Sequence, residues 1–162
     1  MNRLIEEANT LLQGQDFSYA ICGGFALDLF LGYESRVHGD IDVVAFWEDR
    51  EEIITYMQSK GFLIYEMLGG GKVHRITDIR MQEKLRKNIF CCTEDCELVR
   101  LYETEEKDTF WFDFQHIGLS KLNYIEFLFN EKTEDEFVYI RDNRVRRKLE
   151  KVILEKDGIP YL

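Results

Sequence analysis

Apolar positions recur along this chain with two periods, and each change of period marks an element. Over residues 2–12 the side chains Leu4, Ile5, Ala8, Leu11 and Leu12 fall at helical spacing, which predicts an amphipathic helix laid over one face of a sheet. Residues 19–22 form an apolar run the length of a buried strand, stopped by Gly23 and Gly24. Residues 25–31 read as a second helix, closed at Gly32 in the manner of a C-cap. A polar loop holding Arg36 and His38 then leads to Asp40-Ile41-Asp42 and a further apolar run, so the next strand is predicted to open with two acids. Helical spacing returns through Ile53, Ile54 and Met57 as far as Lys60-Gly61, and residues 62–67 read as a strand.

This first half therefore has a βαβαβ-like, α/β character. Gly69-Gly70-Gly71 lacks the spacing and the Lys-Ser/Thr of a P-loop and reads as a mobile connection. Beyond it, residues 72–76, 88–92, 97–102 and 109–117 are rich in β-branched, aromatic or cysteine residues between polar turns, a run of strands and hairpins. A further helix is considered over residues 145–154. The fold class is thus α+β with an α/β-like first half: a mixed, twisted β-sheet flanked by helices. At 162 residues and 45% apolar content the chain suits one sizeable core and is too short for two ordinary domains.

The candidate chemistry lies in residues 20–47. Residues two apart on a strand project from one face, so Asp40 and Asp42 are expected side by side. Adjacent carboxylates repel unless a cation sits between them, and a hard ion such as Mg²⁺ binds through one or two carboxylates with substrate phosphates completing its shell. The Gly23-Gly24 turn at a helix start supplies the complement, because free backbone N–H groups and the positive end of the helix dipole attract phosphate. Together these features suggest nucleotide chemistry.

Gly23-Gly24 followed by Arg36-x-His38-x-Asp40-Ile41-Asp42 resembles the signature of the polymerase-beta-like nucleotidyltransferase superfamily. The resemblance is to the small bacterial branch that includes the lincosamide nucleotidyltransferases and a group of aminoglycoside adenylyltransferases. It implies the nucleotidyltransferase fold and a metal-dependent transfer of NMP from an NTP, with ATP favoured, to a hydroxyl of a small molecule. It also implies two Mg²⁺ ions held by Asp40, Asp42 and a third acid on a later strand, which can also act as general base. Two acids stand alone inside apolar runs, Asp113 and Glu126, and by pattern alone they are even. The run over residues 137–147 resembles the segment that follows the third acid in the relatives, which favours Glu126 with Asp113 as runner-up. Gly23, Gly24, Arg36 and His38 are the expected nucleotide contacts, although His38 also reads as loop scaffolding. The basic run Arg141, Arg144, Arg146, Arg147 and Lys148 reads first as a solvated face paired with nearby acids, and second as a contact to the triphosphate.

Net charge −10 argues against a nucleic-acid partner. With no run of about 18 apolar residues and a polar N-terminus, no membrane partner and a cytoplasmic protein are expected. The four cysteines fit reduced thiols better than a disulfide framework, and Cys91, Cys92 and Cys96 lack the spacing of a zinc site. The relatives continue into a C-terminal helix after a run like residues 157–162. A minimal version of the fold or a homodimer that supplies the missing wall is therefore expected. Two alternatives stand beside the enzyme reading: a non-catalytic member that binds nucleotide or a partner, and a toxin- or antitoxin-like transferase acting on protein or transfer RNA.

Overall fold

The computed structural model describes residues 2–79 and 87–162. Helix α1 (Arg3–Leu12) starts at Asn2, whose side chain accepts a hydrogen bond from the Leu4 amide at 2.9 Å. Strand β1 (Tyr19–Cys22) runs directly into α2 (Gly23–Leu31), which Gly32 ends in the left-handed region at φ 83°. Next come β2 (Asp42–Phe46), a 3₁₀ turn (Trp47–Asp49) and α3 (Arg50–Ser59). β3 (Leu63–Gly69) and β4 (Lys72–Arg75) form a hairpin whose tip is the triple glycine, all three residues at positive φ, so that stretch is a tight turn. The rest is β5 (Ile89–Cys92), β6 (Val99–Glu103), β7 (Thr109–Phe114), β8 (Tyr124–Lys132), β9 (Glu136–Val138), β10 (Arg146–Lys148), a four-residue α4 (Leu149–Val152), β11 (Leu154–Lys156) and β12 (Ile159–Tyr161).

Among the described residues the strands lie in the order β11-β12-β1-β2-β8-β5-β3-β4-β7-β6, with β9 and β10 attached to the far end of β8. The sheet is mixed, as expected: β2 and β8 are parallel, as are β1 and β12, and the other pairs are antiparallel. One face carries α1, α2 and α3 over a core that includes Ile5, Leu12, Phe25, Val43, Ala45, Ile54, Ile64, Ile125 and Phe127. On the other face Cys22, Val44, Phe46 and Phe137 form a smaller cluster. The same face bears an aromatic stack, Tyr65 on Phe90 at 5.1 Å and Phe90 on Tyr124 at 5.5 Å. Four strand spacings separate β7 from β8, about 19 Å in a flat sheet. Yet Phe114 of β7 lies 5.3 Å from Tyr124 of β8, so the sheet curls over this face.

The expected βαβαβ arrangement of the first half is corrected at two places. β1 and β2 are antiparallel, with Cys22 opposite Asp42, and β3 is separated from β2 by β8 and β5. The cause lies in the loop after α2. The Ser35 amide and hydroxyl donate to Asp28 of the helix at 2.9 and 2.6 Å, and His38 bonds the same carboxylate at 2.7 Å. These contacts lay the loop back along α2, so the chain re-enters the sheet at the end where β1 left it. The helix considered over 145–154 does not form as such, since residues 146–148 form β10 and only 149–152 are helical. A helix there would stack Arg147 on Lys151 at i,i+4, where like charges repel. As a strand, Arg146 instead reaches Glu136 at 3.1 Å, while Arg144 forks onto Asp142.

One ion pair is sealed in the core. Arg50, 2% exposed at the head of α3, bonds Glu66 of β3, which is 0% exposed, and the Arg50 Nε donates to the Lys87 carbonyl at 3.1 Å. Its guanidinium lies 5.1 Å from the Trp47 ring and 5.6 Å from Phe129. Arg50→Ala strips that charge from a buried carboxylate and is expected to destabilise the chain by about 3–5 kcal/mol. Urea unfolding followed by circular dichroism checks this, and a loss below about 1 kcal/mol would mean that Glu66 finds compensation elsewhere.

Candidate functional site

Three acids meet where β2 and β8 begin. Asp42 opens β2 and is the Cα partner of Glu126 on the parallel β8, and the Glu126 amide donates to the Ile41 carbonyl at 2.9 Å. Cross-strand partners project to one face, so the register lines up Cys22, Asp42, Glu126, Phe90, Tyr65 and Arg75 in a single row across five strand pairs. Asp40 lies ahead of the strand, not within it, and Ile41 between the two acids is fully buried on the other face. The expectation of two acids on one strand therefore does not hold for strand membership, although the charge of Asp40 acts on Asp42.

The acids perturb one another. Burial pushes the Asp42 carboxyl up to about 6, and the charge of Asp40 adds to it. Glu126 is pushed up to about 7 by burial, then by Asp42 and Asp40, against a hydrogen bond from Tyr124 that favours its charged form. That bond runs from the Tyr124 hydroxyl to the Glu126 Oε2 at 3.4 Å, and Tyr124 is 1% exposed. Among the described residues no lysine or arginine pairs with Asp40, Asp42 or Glu126. Two raised carboxyls and a third beside them, without a cationic side chain, are a donor set of the kind that hard divalent ions select. The three are not gathered round one point: among the described residues no group of three His, Cys, Asp or Glu side chains is close enough to hold an ion unaided.

The glycine pair abuts these acids for steric reasons. A Cβ on Gly23, whose φ is 65°, would stand 2.5 Å from the Asp42 Oδ2. On Gly24 it would stand 2.3 Å from the His38 Nδ1 and 3.2 Å from an Arg36 guanidinium nitrogen. Only glycines let the start of α2 approach Asp42 and His38 this closely. The turn therefore brings together Gly23, Gly24, Arg36, His38, Asp40, Asp42 and Glu126, seven of the eight residues singled out in the sequence. Asp113 is not among them. It is exposed on β7, four strands from β8, where the Gln115 side chain bonds it at 2.9 Å.

Burial pushes the Cys22 thiol, opposite Asp42, up to about 12, with Asp42 adding to the effect, so this thiol is not a nucleophile. Cys91 and Cys92 are consecutive on β5 and project to opposite faces. The basic run is exposed over Arg146, Arg147 and Lys148, and two of its members are paired, Arg144 with Asp142 and Arg146 with Glu136. Pattern reading passed over Asp28, which is 7% exposed and receives bonds from Ser35 and His38. Burial alone would raise its carboxyl, but the Ser35 bonds and His38 outweigh that and hold it below the usual range. The available signal was a single acid inside the apolar helix of residues 25–31.

The chain matches the family model described as aminoglycoside-2''-adenylyltransferase over residues 4–116. Among solved structures it is similar to the lincosamide antibiotic adenylyltransferase LnuA with lincomycin bound. That likeness has a TM-score of 0.58 and 12% identity and covers 100% of this chain and 80% of that one. No curated protein sequence matches.

A pH signature follows from the acid row. Asp42 and Glu126 have folded pKa values of about 6 and about 7, above their ordinary values of 3.8 and 4.5, so the folded chain keeps protons that the unfolded chain releases. Stability from this source is whole below about pH 4 and is lost as pH rises through about 7. In ion-free buffer Glu126→Gln is therefore expected to raise the thermal midpoint by a few degrees near pH 8 and by almost nothing near pH 4. Calorimetry across pH checks this, and an equal shift at both ends would exclude the acid row as its source.

Proposed function

The chain belongs to the aminoglycoside-2''-adenylyltransferase family, and on that premise we propose that it moves AMP from ATP to a hydroxyl of a small-molecule acceptor, an aminoglycoside or lincosamide antibiotic. The observation that carries this reading is the pairing of Asp42 with Glu126, with Asp40 beside them, in front of the glycine turn that opens α2.

Asp40, Asp42 and Glu126 are the residues that would hold magnesium. Since the three are not gathered round one point, phosphate oxygens of the incoming triphosphate would complete the shell, so ion and nucleotide bind together. Magnesium bound there supplies charge neutralisation for the triphosphate and for the pyrophosphate that leaves. The chain's own groups do the rest. The free amides at the start of α2, with Arg36 and His38 beside Gly24, bind and orient the phosphates. Glu126 takes the proton from the acceptor hydroxyl, whose oxygen bonds to the α-phosphorus as the bond to the pyrophosphate oxygen breaks. Tyr124 orients the Glu126 carboxylate. The net charge of −10 disfavours a nucleic-acid acceptor and suits a cationic antibiotic.

The reading is tested by thermal unfolding with each NTP, with and without Mg²⁺, on the natural chain and on Asp40→Asn/Asp42→Asn. Nucleotide at about 100 times its Kd adds about 2.7 kcal/mol of stability. That gain is expected only with ATP and Mg²⁺ together, and it should vanish in the double variant even though that variant is itself more stable without ion. Mass spectrometry of candidate acceptors incubated with ATP and Mg²⁺ should then show an added AMP. A shift with nucleotide alone would favour a non-catalytic binding module, and no shift with any nucleotide would sink the transferase reading.

A further inference from the structure

Three helices lie on one face of the sheet, and their outer sides differ. On α1 the exposed positions are Arg3, Glu6 and Thr10, and on α3 they include Glu51, Glu52, Thr55 and Ser59. On α2 they are Gly23, Leu27, Phe30 and Leu31, with no charge among them. Phe25, Ala26 and Leu29 are buried on the inner side, so α2 is apolar all round apart from Asp28, and a helix of that kind is normally a covered one. The loop tied back to Asp28 widens the surface with Tyr33 and Val37. A Cβ on Gly118 would stand 3.2 Å from the Val37 Cγ1, which puts Ile117 beside this loop. Six of the eleven large apolar side chains exposed among the described residues therefore lie on or beside one helix, at 39–74% exposure.

Shape and chemistry narrow what covers this patch. A helix exterior is convex, whereas small ligands take clefts. A membrane surface would call for several lysines or arginines around the apolar side chains, and a chain of net charge −10 is repelled by anionic lipid. Six side chains exposed to this degree present on the order of 600–700 Å² per copy, beyond the roughly 300–600 Å² of the largest patch on an ordinary monomer and close to the about 800 Å² that each partner gives to a stable dimer. The patch also fits a copy of itself. Its centre is uncharged and its rim holds one acid, Glu34, and one base, Arg36, so a twofold axis sets no net charge against its like. We propose that the outer side of α2 is the interface of a homodimer, packed against α2 of a second copy across a twofold axis. Gly24 lies one turn from Leu27 and the Arg36 guanidinium lies beside Gly24, so the second copy closes that flank of the candidate site. The closing of the site rests on the transferase reading; the interface does not.

Sedimentation equilibrium of the natural chain at micromolar concentration should give twice the mass of one chain. Leu27→Glu/Phe30→Glu would bury four carboxylates in each dimer and should raise the dissociation constant at least about a hundredfold. Both side chains face water in a single copy, so circular dichroism should be unchanged. Leu27→Ala/Phe30→Ala keeps the surface uncharged and should weaken the dimer at least about tenfold, while Thr10→Glu on the polar side of α1 should leave it as it is. A natural chain that stays monomeric, or a dimer that survives Leu27→Glu/Phe30→Glu, would overturn the proposal. A monomer that floats with vesicles of phosphatidylcholine and phosphatidylserine would overturn it in favour of a membrane surface. In the transfer assay the monomeric variant should raise the KM for ATP about tenfold, and an unchanged KM would overturn the closing of the site. If the natural chain dimerises through α2 and binds no nucleotide, the transferase reading falls and the interface stands.

Discussion

Much of the molecule depends on one buried carboxylate in the second helix. Asp28 collects the Ser35 amide, the Ser35 hydroxyl and the His38 imidazole, and these bonds fold the loop back along α2. Without that return the chain would have no reason to enter β2 beside the end of β1, and Asp42 would not stand opposite Cys22. A buried charge is costly unless it is fully bonded, so it tolerates few alternative loop paths. The carboxylate thereby fixes topology and carries one side of the candidate site at once.

The acids of the sheet work in the opposite sense. Asp42 and Glu126 are brought together by register and gain no cationic partner from the described chain. The strong packing around them, with Ile41, Val43, Ile125 and Phe127 fully buried, holds a pair that electrostatics alone would separate. Such local conflict inside an otherwise consistent core is the usual mark of a functional site. The fold likeness to a lincosamide adenylyltransferase and the family match are in keeping with it.

What could be read from the sequence follows the range of the interactions. Tyr19–Cys22, the helix after it and β3 to β6 are set by local periodicity and turn residues and lie within two residues of their expected bounds, whereas β7 stops three residues short at Phe114. Gly23, Gly24, Asp40 and Asp42 lie within 20 residues of one another and were legible as a group. By pattern alone Glu126 and Asp113 were even, because both sit in aromatic strands; the resemblance of residues 137–147 favoured Glu126, and it is the pairing of β2 with β8 that puts Glu126 beside Asp42. Direction within the first half failed for a related reason: periodicity identifies a strand but not the neighbour it bonds. Part of the basic run forms β10, where a helix would set Arg147 against Lys151 at i,i+4.

The partnership of Asp42 with Glu126 joins positions 84 residues apart, with β3, β4, β5, β6 and β7 between them in the chain. Contacts of such separation form late, since loop closure must come first. During synthesis the first acid is therefore exposed to water, with no like charge opposite it, while the α1–β1–α2–β2 unit is made. The mutual repulsion arises only once β8 has been made and docks alongside β2. By then β5 can flank β8 on its other side, so the unfavourable contact is imposed on a sheet already able to bear it and is kept off the early steps of folding.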